Sequence, residues 1–388
     1  MAVAPAGGAG RQACVDDSAL DPWADLLNRR VHLRSSHSPS VPGTITPRMD
    51  SSIEPGFELV NCPGCNCDKF EPAYTGRDWV LDSQRAIHIV RCSRCGLHFT
   101  NPRPRLEHLG DYYQADYGPY QKQKGELERD NELSTSVRTW VLADAYGSPA
   151  HKPTAGQRAV ARFVRFFRAQ EHYGFGIPYH GQGRLLDFGC GNGTFLRRMK
   201  AIGWTCTGLD FSAEAVAAVR AGGIAALQGT LPHPELAPGS FDVIAMRHAL
   251  EHVPQPRAVL AAAMDLLVPG GRLVITVPHF NSWEREVFGD AAMTLDLPRH
   301  LLHFTTGTLQ NLLESCGFET IEIYQHSRKN WIRKSLSLAD KRGTRHRGDW
   351  VLRSRMVRHL AAERAGRLGK GNEVIATFQK PLKESTGA

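Results

Sequence analysis

Short apolar segments alternate with amphipathic segments in the second half of the chain. Leu185, Leu186 and Phe188 predict a buried strand, and the spacing of Phe195 and Met199 predicts an amphipathic helix directly after it. Further strands are predicted at 204–210, 241–246, 269–278, 319–324 and 373–378, with a helix at 258–267. This alternation is typical of an α/β fold.

A glycine-rich turn joins the first of these strands to its helix. Gly189, Gly191 and Gly193 form a GxGxG pattern, whereas dinucleotide sites have GxGxxG, and Thr194 stands where their third glycine would fall. Asp187, just before the turn, suits an ammonium group better than a pyrophosphate. S-adenosyl-L-methionine (SAM) carries an ammonium and a carboxylate but no phosphate, so the loop favours SAM over NAD. Glycines that serve only tight packing remain the alternative for the loop taken alone.

The second strand also ends in an acidic residue. Asp210 is placed to accept hydrogen bonds from both hydroxyls of a ribose, a group that SAM and NAD share. Phe211 follows, where an aromatic face could lie against an adenine. Together with the glycine turn, these residues predict a nucleoside-binding edge of the sheet.

Four segments in order, DFGCGNG, GLD, FDVIAMRHALEHV and PGGRLVITVP, resemble the class I SAM-dependent methyltransferases. The resemblance runs from about Arg184 to Tyr324 and resumes at Gly371–Lys380. It implies a Rossmann-like sheet of seven strands with helices on both faces, and SAM-dependent methyl transfer. The SAM-binding positions that it implies are Asp187, Gly189, Gly191, Asn192, Asp210, Phe211, Thr230, Leu231, Arg247 and His248.

Two CxxC pairs precede this region. Cys62 and Cys65 form the first pair, and Cys92 and Cys95 form the second. Two such turns let four thiolates converge on one Zn²⁺, so we expect a structural zinc ribbon. Cys67 could replace Cys65, and two unrelated turns with reduced thiols are the other alternative. The remaining cysteines within predicted elements, Cys190, Cys206 and Cys316, are expected to be small core residues.

Histidine is the natural base near neutral pH, and His248, His252, His300 and His303 follow the fourth and fifth strands. The segment 296–305 resembles the loop that caps the acceptor site in zinc-ribbon-bearing deoxysugar C-methyltransferases, where a Glu-His pair supplies the base. His300 matches that base, with His252 and His303 as further catalytic candidates. Arg299 replaces the glutamate, which puts C-methylation in doubt, and we expect it to bind an anionic part of the acceptor.

Residues 328–370 contain fourteen Lys and Arg but only three acidic residues, a net charge of +11 in a chain of +8. Tryptophan, leucine and methionine lie between these cations. Such a segment could contact an anionic lipid surface, a phosphate-bearing substrate or nucleic acid, or form a solvated helical pair. The chain has no run of about 18 apolar residues and no secretory signal pattern, so we expect a cytoplasmic protein.

Four regions are predicted from these patterns. They are a disordered tail at 1–55, a zinc ribbon at 56–104, a helical connector or lid at 105–180, and a methyltransferase domain at 181–388 with a basic insert at about 327–370. The connector includes a predicted helix near 127–142, an Arg- and Phe-rich helix at 158–169, and Tyr112, Tyr113, Tyr117 and Tyr120. Met49, as well as Met1, is a candidate for the residue at which translation starts.

The function predicted from the sequence is methyl transfer to a small or carrier-linked acceptor, such as a sugar, polyketide, quinone or lipid intermediate, with a histidine general base. The alternative is an RNA methyltransferase that binds RNA through the zinc ribbon and the basic insert. It is less favoured because the cations are confined to one insert and because Met246-Arg247-His248-Ala249 stands where base methyltransferases carry Asn-Pro-Pro-Tyr. A SAM-holding binding module without catalysis is a third alternative. The sequence does not indicate the oligomeric state.

Overall fold

The computed structural model describes residues 55–78, 81, 83, 85–113, 135–168, 176–341, 343 and 349–382. All of them lie in one unit, Thr44–Ala388. The predictions for the tail, for Met49, for Tyr117 and Tyr120 and for a helix start near Leu127 lie outside the described residues.

Thirteen strands are present in the described part of the chain. In chain order they are β1 Phe57–Glu58, β2 Phe70–Arg77, β3 Ala86–Cys92, β4 His98–Thr100, β5 Arg103–Pro104, β6 Arg184–Phe188, β7 Thr205–Asp210, β8 Ala225–Gln228, β9 Phe241–Arg247, β10 Leu267–Pro278, β11 Leu302–His303, β12 Glu319–His326 and β13 Glu373–Gln379.

Ten α-helices are present in the described residues. They are α1 Leu106–Leu109, α2 Thr135–Tyr146, α3 Ala155–Arg168, α4 Thr194–Ala201, α5 Ala213–Ala221, α6 Pro256–Leu266, α7 Trp283–Phe288, α8 Thr306–Glu314, α9 Lys329–Lys341 and α10 Arg355–Arg367. Short 3₁₀ turns occur at Gly110–Tyr112, Leu250–His252, Gly289–Ala291 and Asp349–Arg353. None of the helices in the described ranges is long and apolar enough to cross a membrane.

Seven strands form the central sheet in the order β12-β13-β10-β9-β6-β7-β8. Strands β10, β9, β6, β7 and β8 are parallel, and β13 is antiparallel to both β10 and β12. The fully buried residues Leu185, Leu186 and Ile244 come from its two central strands, β6 and β9. Strands buried on both faces read as continuous apolar runs, which is why the sequence pattern located them. The α/β fold class predicted from the sequence is confirmed.

A smaller sheet carries the two CxxC turns, and its strand order is β11-β4-β3-β2. Strand β11 comes from the loop after β10, and Leu302 and His303 pair with Phe99 and His98. Strand β2 was not predicted from the sequence, because it contains Pro72 and Gly76 and buries only Phe70 and Gly76. Strand β11 was not predicted either, because a two-residue strand has no periodicity to detect. The segment predicted as a zinc ribbon therefore shares a sheet with the predicted methyltransferase domain.

The basic segment is an insert between β12 and β13, as predicted, and contains α9 and α10. The buried faces of these helices include Ile332, Leu336 and Ala362. These side chains form an apolar cluster with Phe288 and Ala292 beside the central sheet. The insert is therefore anchored by its inner face.

Candidate active site

Asp187 lies near the carboxyl end of β6, where parallel strands present ligand-binding loops. Its side chain is 2% exposed, and its Oδ1 has no hydrogen-bond partner among the described residues. Burial raises the pKa of Asp187 to about 7, while nearby Arg247 lowers it and Asp210 raises it further. A buried carboxylate oxygen without a partner fits a cationic ligand group such as an ammonium.

The three glycines of the loop have different roles. All adopt left-handed φ angles, +75°, +51° and +74° for Gly189, Gly191 and Gly193. A Cβ at Gly189 would lie 2.7 Å from Cβ of Ala249, and one at Gly193 would lie 2.8 Å from Cγ2 of Val219. A Cβ at Gly191 would meet nothing within 4 Å. Two glycines therefore serve close packing, and the middle one opens the loop to a ligand.

Asp210 ends β7 beside this loop. Its Oδ2 accepts the Gly191 N–H at 2.8 Å, and its Oδ1 accepts the Ser212 N–H at 3.0 Å. Each carboxylate oxygen can accept a second hydrogen bond, so ribose hydroxyls remain compatible with this geometry. Phe211 is 55% exposed, and its ring is 5.7 Å from that of Tyr113, edge to face. An exposed aromatic face at this place fits an adenine.

The other predicted SAM-binding positions surround the loop. Asn192 Oδ1 accepts from the backbone N–H and the hydroxyl of Thr194, so this side chain stabilises the start of α4. Thr230 is exposed, whereas the Leu231 side chain is buried in the core and leaves only its backbone for a ligand. Arg247 stacks its guanidinium 4.3 Å from the centre of the Phe195 ring. These positions, with Asp187 and Gly191, could hold SAM.

His248 adopts a left-handed φ of 53° at the end of β9. Its Nδ1 lies 3.4 Å from Glu251 Oε1, and its Nε2 lies 3.3 Å from Glu373 Oε2. Its ring centre is 5.1 Å from that of Trp331 in α9. The insert therefore reaches the edge of the candidate site, which the sequence analysis did not anticipate.

A cluster of Glu251, His252 and His300 lies next to the glycine loop. One ligand atom from each side chain falls within 4.8 Å of the others, a spacing that could also hold a metal ion. The imidazole rings of His252 and His300 are 4.8 Å apart, edge to face. Glu251 is fully buried, and neither carboxylate oxygen has a hydrogen-bond partner among the described residues. The buried negative charge is adjacent to both rings.

Backbone carbonyls fix the tautomers of both rings. His252 Nδ1 lies 2.9 Å from the carbonyl oxygen of Arg299, and His300 Nδ1 lies 3.2 Å from that of Thr294. A carbonyl can only accept, so each neutral ring carries its hydrogen on Nδ1 and its lone pair on Nε2. Burial, then the neighbouring His252, lowers the pKa of His300 to about 4, although Asp296 and Glu251 oppose the shift. His300 is therefore neutral at pH 7.

Tyr113 is a site residue to which the sequence analysis gave no role. Its hydroxyl is 2.9 Å from His252 Nδ1, while its ring contacts Phe211. It thus links the predicted adenine side of the site to the histidine cluster. The only signal in the sequence was the tyrosine-rich stretch of the connector, which does not indicate what Tyr113 contacts.

The prediction that Arg299 binds an anionic part of the acceptor is wrong. Its side chain is fully buried and forms ion pairs with Asp78 at 2.9 Å and with Asp296 at 2.8 Å. Two carboxylates already neutralise the guanidinium, which braces the loop against the segment that follows β2. The low pKa of His300 is due chiefly to burial.

His303 lies in β11, within the smaller sheet. Its Nε2 is 3.1 Å from Thr100 Oγ1, and that hydroxyl donates to the carbonyl oxygen of His300 at 2.9 Å. Burial lowers the pKa of His303 well below its usual range. These contacts favour a role for His303 in holding the loop rather than in proton transfer.

The four predicted zinc ligands converge. The Sγ atoms of Cys62 and Cys95 are 3.5 Å apart, as are those of Cys65 and Cys92, and all four lie within 4.8 Å of one another. Tetrahedral thiolates at about 2.3 Å from Zn²⁺ would be separated by roughly 3.8 Å. Cys67 lies outside this set, and its Sγ accepts the backbone N–H of Lys69. Cys190 and Cys206 are buried as predicted, whereas Cys316 is only partly buried.

Part of the chain is similar in sequence to known methyltransferases. Residues 155–323 match a family model described as a methyltransferase domain. The chain is 34% identical over 125 residues to a ubiquinone biosynthesis O-methyltransferase of Pectobacterium carotovorum, covering 30% of this chain and 52% of the relative. It is 30% identical over 153 residues to the protein of the same name from Thiobacillus denitrificans, covering 36% and 66%. The chain thus spans about half the length of the curated relatives it matches.

Solved structures also align with part of the chain. An S-adenosylmethionine-dependent methyltransferase from Mesorhizobium loti aligns with a TM-score of 0.36 and 21% identity, covering 52% of this chain and 93% of that one. Residues 155–323 therefore match a methyltransferase domain, and the central sheet has the seven strands that the resemblance implies.

Proposed function

We propose that this protein is an enzyme that transfers a methyl group from SAM to a hydroxyl group of a small or carrier-linked molecule. One observation carries the proposal: the glycine loop, with Asp187 just before it, directly adjoins the cluster of Glu251, His252 and His300. The close packing of Gly189 against Ala249 joins the two parts. SAM, when bound, supplies an activated methyl group on its sulfonium.

The loop residues hold the donor in this proposal. Asp187 receives the ammonium group with its unpartnered Oδ1, and Gly191 leaves room for the carboxylate. Asp210 and Phe211 would contact the ribose and the adenine. Because these groups come from the ends of β6 and β7, the sheet fixes their separation and would hold the donor in one orientation.

His300 acts as the general base. Its Nε2 carries the lone pair, and this atom lies 4.0 Å from Glu251 Oε1 and 3.9 Å from Asp296 Oδ2. Two carboxylates would stabilise the imidazolium that forms when the ring takes the proton of the acceptor. His252 and Tyr113 would line the acceptor site beside His300. The names of the curated relatives support an oxygen acceptor of the quinone-intermediate type.

Single-turnover and steady-state assays on a set of small phenolic and sugar acceptors test the proposal. His300→Ala should lower kcat by about a hundredfold while the affinity for S-adenosylhomocysteine stays within about twofold. His252→Ala should alter stability or cofactor affinity more than His300→Ala does. Normal turnover by His300→Ala together with a loss in His252→Ala would reverse the two roles. Methylation of RNA, but of none of the small acceptors, would favour the alternative acceptor.

A further inference from the structure

The basic insert has an outer surface that its packing on the fold does not explain. We call it the insert surface: the exposed side chains of Asp349–Arg353 and α10, with the neighbouring exposed side chains of α9. The inner faces of both helices are already buried in the apolar cluster that includes Phe288 of α7. The outer residues are therefore not needed to hold the insert in place.

Large apolar side chains are exposed on this surface. Trp350 is 75% exposed, Met356 is 69% exposed and Leu360 is 53% exposed. Met356 and Leu360 lie four residues apart in α10, so they share a face on consecutive turns. Exposed apolar side chains that share a helix face mark an interaction site more often than singly scattered ones do.

Exposed cations lie on the same two helices. Arg333 and Lys334 of α9 and Arg355 and Arg367 of α10 are exposed. Burial is the main cause that lowers the pKa of Arg358, and the positive charges of Arg333 and Arg355 lower it further. Guanidinium groups of the two helices therefore lie close enough to repel one another. A surface with many phosphates would relieve that repulsion.

We propose that the insert surface docks onto an anionic lipid bilayer. A phosphate backbone of nucleic acid would satisfy the cations but leave Trp350, Met356 and Leu360 in water. A bilayer surface satisfies both groups, because headgroup phosphates contact the cations while apolar side chains and an indole enter the interface. Trp331 of the same insert contacts His248 at the candidate site. Docking there would bring the site close to membrane-borne acceptors.

Sedimentation of the full-length protein with vesicles tests this proposal. We expect binding to vesicles of phosphatidylcholine with phosphatidylglycerol, at least tenfold weaker binding to phosphatidylcholine alone, and weaker binding at high salt. The variant with Trp350→Ser, Met356→Ser and Leu360→Ser should bind anionic vesicles at least tenfold more weakly. The control with Leu106→Ser and Ile321→Ser, exposed elsewhere at 53% and 47%, should bind as the unaltered protein does.

Thermal unfolding of each variant checks that the fold is kept. Arg333→Gln with Arg355→Gln provides a second, charge-directed variant that should also weaken binding to anionic vesicles. Absence of binding to anionic vesicles would overturn the proposal, and so would equal binding by the apolar triple variant. Binding of an RNA oligonucleotide that competes with vesicles and is unchanged in the triple variant would assign the surface to nucleic acid instead.

Discussion

Asp187 is a carboxyl group whose surroundings favour its neutral form. Burial raises its pKa to about 7, and Arg247 only partly offsets that effect. The ordinary pKa of an aspartate is near 4, so the ionised form of this side chain is less stable in the folded protein than in the unfolded chain. The free energy of unfolding should therefore fall as the pH rises from about 4 to 7. A ligand ammonium beside Oδ1 would reverse that cost.

We predict a pH-dependent affinity for S-adenosylhomocysteine, which has the same ammonium group as SAM. Below pH 7 the carboxyl is protonated and must release its proton when the ligand binds, so affinity should fall by about tenfold between pH 7.5 and pH 6. Isothermal titration calorimetry across this pH range measures the affinity. Asp187→Asn should bind more weakly and show no such slope. A flat profile in the unaltered protein would contradict the assignment of Asp187.

At the scale of elements, β11 links the cysteine-bearing sheet to the loop of the candidate base. It pairs with β4, and Thr100 at the end of β4 contacts both the His300 carbonyl and the His303 ring. Strand β3 pairs with β4 and ends at Cys92, one of the four clustered cysteines. The position of His300 should therefore depend on the integrity of the cysteine cluster.

The second prediction concerns metal in this cluster. Protein purified without chelators should hold about one Zn²⁺ per chain, and Cys65→Ser should lose it, because three thiolates bind far more weakly than four. Amide hydrogen exchange should then rise in β3 and β4 and also in β11, while β6 and α4 keep their protection.

The buried Cys206 in β7 provides a matched control. Cys206→Ser should keep both the metal and the slow exchange of β11. Metal analysis that finds no zinc in the unaltered protein would refute the prediction. Exchange that rises in β3 and β4 but not in β11 would show that the loop of His300 is held independently of the cysteine cluster.

At the scale of the molecule, one apolar core crosses the predicted domain boundary. Phe99 and Val90 of the smaller sheet belong to the same buried cluster as Leu186 and Ile244 of the central sheet, with Phe304 as a further member. Segments that share one apolar core are expected to unfold in the same cooperative transition. The predicted zinc ribbon and methyltransferase domain should therefore not unfold separately.

The third prediction is a single calorimetric unfolding transition for the described part of the chain. Phe99→Ala should lower the midpoint of that one transition, since a buried Phe→Ala change costs about 3–5 kcal/mol. Leu106→Ala, at an exposed position, is the control and should leave the midpoint nearly unchanged. Two resolved transitions, of which Phe99→Ala shifts only one, would show that the sheets unfold independently.

The sequence by itself determined the central strands, the glycine turn and the four converging cysteines. These features depend on neighbours a few residues apart: an apolar run for β6, left-handed turns at Gly189 and Gly191, and CxxC pairs that bring sulfurs together. Local patterns of this kind can be detected in the sequence without knowing how the rest of the chain packs. The insert was recognised for the same reason, because its charge is confined to one continuous segment.

Only the tertiary structure decided what lies beside these features. Arg299 was expected to face a ligand, yet Asp78, more than 200 residues away in the chain, neutralises it in the interior. Tyr113 reaches His252, and β11 joins the cysteine-bearing sheet, through contacts between distant segments. A residue type and its position do not reveal which distant group satisfies a buried charge or completes a sheet edge, because that choice is made when the whole chain packs.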